Sequence, residues 1–124
     1  MFLSEDTMVL SRLAREFAAE IANHDWSDAP FRADRAGHDR AIDNSSCKQL
    51  SPDETRVVRM NVMWVTAQVL GHADPNFDEY AFAEACGVET KTRHGRLNGG
   101  ISAGLRKTID GRYCRPGTRE APIE

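Results

Sequence analysis

FDEYAFAEACGVETKTRHGRLNGGISAGLRKTIDGRYCR, residues 77–115, is the stretch that decides the fold, because two helical patterns and a tight turn follow one another in it. Asp78 is placed to cap the first helix, with Phe77 before it as an apolar staple against Phe82. Gly87 stands where a helix ends on a left-handed residue. The start of the stretch therefore predicts a short helix that closes in a glycine turn.

The second half of the stretch predicts another helix and then a hairpin. Leu97, Ile101 and Leu105 lie four residues apart, which favours a helix around Thr90–Lys107. Asp110-Gly111 between two β-prone pairs is typical of a β-hairpin turn. The helix also contains residues that each lower helical stability by ~1 kcal/mol and are useful only where another group packs close: Gly99, Gly100 and Gly104.

A resemblance to a known superfamily starts from Ala83, Gly87 four residues later, and Val88. This spacing resembles the Ala-x-x-x-Gly-hydrophobic core of helix-turn-helix proteins, and the following hairpin makes it similar to the winged branch. That family expects an aliphatic residue where Arg93 stands here. Either residues 89–94 form an extended loop that lengthens the turn, or the match is accidental. The resemblance implies a mainly α winged helix-turn-helix with a short C-terminal β-hairpin, whose second helix enters the major groove of DNA.

Before this unit, the sequence predicts an additional N-terminal helix over residues 4–23, capped by Ser4. Leu10, Leu13, Phe17 and Ile21 form its apolar stripe. The helix either packs on the core of the domain or forms a homodimer. Residues 24–50 have no sustained period and predict a long surface loop.

A third helix is predicted over residues 51–70. Ser51 and Glu54 form a capping box, and Gly71 is expected to end the helix. Trp64 is assigned to the core. The expected organisation is thus an N-terminal helix and arm (1–50), a winged domain (51–117) and a flexible tail (118–124).

Charge is divided unevenly along the 124 residues, although the net charge is only −3. Residues 1–87 carry 8 Lys or Arg and 15 acids, whereas residues 88–119 carry 8 Lys or Arg and 2 acids. The basic balance falls on the proposed second helix and wing, as a nucleic-acid interface requires. The acidic start has no basic segment before it, and no apolar run is long enough for a bilayer, so we expect a cytoplasmic protein without a membrane partner.

The sequence offers little for catalysis or for a metal. Three cysteines, Cys47, Cys86 and Cys114, do not suggest a disulfide framework, and Cys86 falls on the inward face of its helix. His38, Asp39 and Cys47 match no metal-ligand spacing. Since phosphate-loop and metalloprotease motifs are also missing, we expect no enzyme, catalytic residue, metal or cofactor.

The leading hypothesis is a small DNA-binding protein that regulates transcription and contacts duplex DNA through the Thr90–Lys107 helix and the Asp110-Gly111 wing. Asn98 is a candidate to pair with adenine. The alternative is a winged-helix adaptor or inhibitor that binds another protein through its acidic half. The candidate DNA-binding residues are Lys91, Arg93, His94, Arg96, Asn98, Arg106, Lys107, Arg112 and Arg115.

Overall fold

The computed structural model describes residues 9–37, 39 and 48–123, and this part of the chain is mainly helical. A single 3₁₀ turn, Trp26–Asp28, lies between the first two α-helices in the described residues. Two isolated antiparallel bridges join Lys91 to Leu97 and Lys107 to Tyr113. The α-helices are α1 (Arg12–Asn23), α2 (Pro52–Ala73), α3 (Glu79–Ala85) and α4 (Gly99–Ala103).

Helix α1 begins later than expected. Ser11 is its N-cap and accepts a hydrogen bond from the backbone N–H of Ala14, while Ser4 lies outside the described residues. The predicted apolar stripe was also wrong at its two middle positions, because Leu13 and Phe17 are 58% and 44% exposed. Ile21 is buried as predicted, and so is Leu10 just before the helix, but between them the helix buries the smaller Ala14 and Ala18. Small side chains let α1 lie close against α2 and α3.

Helix α2 starts as predicted, because both hydrogen bonds of the Ser51–Glu54 capping box are formed. Its predicted end was wrong: Gly71 lies inside the helix, which continues to Ala73. A Cβ atom at Gly71 would lie 2.4 Å from the ring of Tyr113. This glycine is therefore explained by close packing and not by a helix terminus.

Helix α3 and the turn after it confirm the sequence prediction. Asp78 caps the helix by accepting from two backbone N–H groups, and the rings of Phe77 and Phe82 lie 5.4 Å apart. Gly87 has φ +83°, and the N–H of Val88 donates to the carbonyl of an α3 residue at 3.0 Å. Phe82 is fully buried, which places α3 at the centre of the core.

A helix does lie within the predicted range Thr90–Lys107, but its predicted extent was wrong, since α4 has only the five residues Gly99–Ala103. The chain before it is extended and folds back at Gly95, whose φ is +80°. Ile101 and Leu105 are buried as expected, but Leu97 is 59% exposed. Glycines at both ends of α4 weaken helix propagation, so capping and packing limit the helix to little more than one turn.

Gly104 shows why one of these glycines is needed. A Cβ atom there would lie 2.3 Å from the indole of Trp64. The indole N–H donates to the carbonyl of Ile101 at 2.9 Å. Trp64 is half-buried and packs against the core, and it fixes the distance between α2 and α4.

Candidate nucleic-acid interface

The basic half of the chain contains the same turn twice. Lys-Thr-x-x-Gly-Arg occurs at residues 91–96 and again at residues 107–112, sixteen positions later. The first turn is defined here as residues 90–98 and the second turn as residues 106–114. The Asp-Gly pair predicted the second turn, and an extended loop over residues 89–94 was one of two alternatives for the first. The six-residue repeat is the signal that indicates both turns.

The two turns have matching backbone hydrogen bonds. In the first turn Thr92 N–H donates to Arg96 O at 2.7 Å, and Gly95 N–H donates to Thr92 O at 2.9 Å. In the second turn the equivalent distances are 2.8 Å and 2.9 Å. Gly95 and Gly111 both have positive φ, a left-handed conformation that glycine adopts without steric cost. The repeat therefore encodes one backbone conformation with two sets of side chains.

The side chains of the first turn are cationic and exposed. Lys91, Arg93, His94 and Arg96 all lie on the surface. Among the ion pairs of the described residues, no carboxylate pairs with Lys91, Arg93 or Arg96. The charge of this turn is consequently available to an external anion.

The second turn is attached to the core by Gln68 of α2. This buried side chain donates through Nε2 to the carbonyls of Arg106 and Cys114, at 3.0 and 3.1 Å, and accepts the N–H of Arg106 at 2.8 Å. All three bonds go to the backbone at the base of the second turn. Gln68 thus holds both arms of this turn against α2.

A carboxylate on α3 holds the same turn from another side. Lys107 Nζ lies 2.8 Å from a Glu79 carboxylate oxygen and 3.0 Å from the Ser102 hydroxyl, and the Tyr113 hydroxyl donates to Glu79. Burial opposes ionisation of Glu79, but the hydrogen bonds from Lys107, Tyr113 and Ser102 outweigh it and lower the pKa of Glu79. Burial and the nearby Glu79 carboxylate raise the pKa of Tyr113. Lys107 therefore has a structural ion-pair partner.

The remaining predicted DNA-binding cations are engaged with the protein itself. Arg106 Nε donates to Thr118 O at 2.8 Å. Arg112 Nε lies 2.9 Å from Asp110, and Arg115 pairs with Glu120. A hydrogen bond from Thr108 and the nearby Arg112 lower the pKa of Asp110. Among the described residues, the cations of the first turn thus have no carboxylate partner, whereas those in and after the second turn are bound by other groups of the protein.

Asn98 has a local role at the junction of the first turn and α4. Its Oδ1 accepts the N–H of Gly100 at 2.9 Å, which makes it the N-cap of α4. Its carbonyl accepts the hydroxyl of Tyr80 at 2.9 Å. The amide is therefore already oriented by capping, and the first turn is joined to α3 at its base.

The cysteines of the described chain have a packing role. Cys86 is fully buried, as predicted, and burial raises the pKa of its thiol to about 12. Cys114 is also buried and unpaired. No group of three potential metal ligands occurs within the described ranges, while His38 and Cys47 lie outside them.

No helix in residues 9–37, 39 and 48–123 has both the length and the apolar character that a bilayer crossing requires. Comparison of the chain with protein families, with curated proteins and with solved structures gave no match.

Proposed function

We propose that this protein binds double-stranded DNA through its basic C-terminal half and regulates transcription. The observation that carries the proposal is the first turn, where Lys91, Arg93, His94 and Arg96 are exposed and the three Lys and Arg side chains have no carboxylate partner in the described chain. Unpaired cations that project together are the usual source of affinity for phosphate.

A winged helix-turn-helix is the arrangement that accounts best for the order of the elements. In this proposal α2, α3 and α4 are its three helices, and the second turn occupies the position of the wing. The glycine turn after α3 and the burial of Ala83 support it, because close contact between the two helices requires a small residue there. The first turn is then an insertion between the second and third helices.

The expected affinity depends steeply on salt. Three side chains that remain charged, Lys91, Arg93 and Arg96, give a slope of about −2.7 in log K against log salt. Raising the salt from ~50 to ~200 mM therefore lowers affinity about 40-fold. Fluorescence anisotropy with a labelled duplex of random sequence measures this slope directly.

Paired variants identify the turn responsible. Arg93→Ala with Arg96→Ala should weaken binding to every sequence. The slope of log K against log salt should change to about −1, since each lost phosphate contact removes about one unit. Arg112→Ala is the matched control, because Arg112 occupies the position of Arg96 in the second turn but pairs with Asp110. A double variant that binds duplex DNA as tightly as the parent chain contradicts the proposal.

A second candidate function is an adaptor or inhibitor that binds a protein through the acidic N-terminal half. The observation that favours it is apolar surface on α1 and α2: Leu13, Phe17, Val57, Val65 and Val69 are all exposed. Leu13 and Phe17 lie four residues apart on one face of α1, the helix to which the homodimer hypothesis assigns the interface. A stoichiometric complex with a protein, formed by a chain that does not bind duplex DNA, supports this function. Concentration-dependent sedimentation, abolished by Leu13→Ser with Phe17→Ser, supports the homodimer.

A further inference from the structure

The manner in which this protein contacts DNA follows from comparing α4 with the first turn. A helix that recognises sequence in the major groove needs side chains that reach base edges, usually Arg, Lys, Asn, Gln or Glu. Helix α4 has the sequence GGISA, and its five residues rise only about 7.5 Å. Ile101 is buried, and the Ser102 hydroxyl accepts a hydrogen bond from Lys107. No side chain of α4 is thus left to read a base pair.

The first turn carries side chains long enough to reach base edges, which α4 lacks. Arg93 and His94 lie at the tip of the antiparallel turn, and Arg96 follows the tip directly. A single bridge, between Lys91 and Leu97, joins the two arms. A two-stranded ribbon is wider than the ~6 Å minor groove of B-DNA, so only the side chains at the end of the turn can enter that groove. Arginine side chains are favoured in a narrow minor groove because the negative potential is strongest there.

The second turn supplies an internal comparison. It has the same backbone, but Ile109 and Asp110 replace Arg93 and His94, and Asp110 neutralises Arg112. Gln68 and Glu79 hold this turn against α2 and α3. The chain therefore contains one copy of the turn that is held against the fold and another whose exposed cations have no carboxylate partner in the described part of the chain.

We infer that the first turn inserts Arg93 and Arg96 into the minor groove of A·T-rich DNA, while α4 positions the turn without reading bases. This inference rests on the proposed function and specifies its mode of recognition. In the minor groove the 2-amino group of guanine marks a G·C pair and obstructs an inserted side chain. Discrimination is accordingly between A·T and G·C pairs and not among all four pairs.

Inosine provides the decisive experiment, because an I·C pair has the major-groove edge of G·C but lacks the minor-groove amino group. Binding is measured by anisotropy at one salt concentration to duplexes of equal length whose central base pairs are A·T, G·C or I·C. We expect I·C to bind like A·T and about tenfold more tightly than G·C, the effect of one unfavourable base pair. Equal binding to I·C and G·C overturns minor-groove insertion while leaving DNA binding intact. Failure of all three duplexes to bind refutes the proposed function itself.

A turn-exchange variant tests the assignment to the first turn. Arg93→Ile with His94→Asp gives this turn the tip sequence of the second turn, so the backbone conformation is one that the chain already adopts. The variant should keep the parent urea midpoint and lose both affinity and the I·C preference. The control Arg112→Ala should keep the preference. An exchanged variant that retains the tenfold preference overturns the inference.

Discussion

Gln68 is the residue whose replacement tests the architecture most directly. Its amide makes three hydrogen bonds to the base of the second turn, two to carbonyls and one from the N–H of Arg106. Gln68→Leu keeps a similar volume and removes all three bonds. Each buried group left without a partner costs about 1–3 kcal/mol, but local relaxation and water recover part of this. We expect the free energy of unfolding to fall by about 2–4 kcal/mol.

Urea denaturation followed by circular dichroism measures this loss. With a slope of about 1.5 kcal/mol/M, the midpoint should fall by about 1.3–2.7 M. Gln49→Leu is the matched control, because Gln49 is the other glutamine of the chain and its hydrogen bond to the Ser27 hydroxyl is exposed to solvent. The control should change the free energy of unfolding by less than about 0.5 kcal/mol.

Hydrogen exchange adds a local measurement. The backbone N–H of Arg106 donates to the Gln68 side chain, so it should exchange faster in Gln68→Leu under conditions where the core amides of α2 remain protected. If Gln68→Leu has the stability of the parent chain and the exchange rate of the Arg106 amide is unchanged, Gln68 does not hold the second turn. The distinction between a turn held against the core and an exposed turn then fails.

Two further predictions concern packing and pH. Gly104→Ala should lower the free energy of unfolding by about 0.5–2 kcal/mol, because overpacking against Trp64 exceeds the gain in helix propensity. Gly99 has open space around it, so Gly99→Ala should be neutral or stabilising by up to ~1 kcal/mol. Thermal melts that rank the two variants in the opposite order contradict this. The lowered pKa of Glu79 means that its contribution is present at neutral pH and is lost as the pH falls from its ordinary value of 4.5 through the folded-state value. Glu79→Gln should therefore be less stable than the parent at pH 7 and differ from it less at pH 3 in urea titrations, and a difference that does not change with pH contradicts the assignment.

Local sequence patterns determined the features that depend on interactions between residues close together in the chain. The capping box at Ser51, the Asp78 cap and the left-handed Gly87 were confirmed, since each depends on a side chain or a φ value beside the helix terminus that it fixes. The segregation of charge was likewise visible in the sequence, because it is a count and needs no contact.

Tertiary structure decided the rest. The spacing of Leu97, Ile101 and Leu105 predicted a long helix, but whether an apolar residue is buried depends on what packs against it, and Leu97 has little. Gly71 and Gly104 were explained only by aromatic rings that come from distant parts of the chain.

Tertiary contacts also decided which cations of the candidate site are neutralised. From the sequence, Arg96 and Arg112 are equivalent cations in equivalent turns. Folding brings Asp110, Gln68 and Glu79 to the second turn and leaves the first turn without a described acidic partner. Sequence alone determined where the positive charge lies, and long-range contacts decided which part of it is neutralised, because ion pairing depends on distances between residues far apart in the chain.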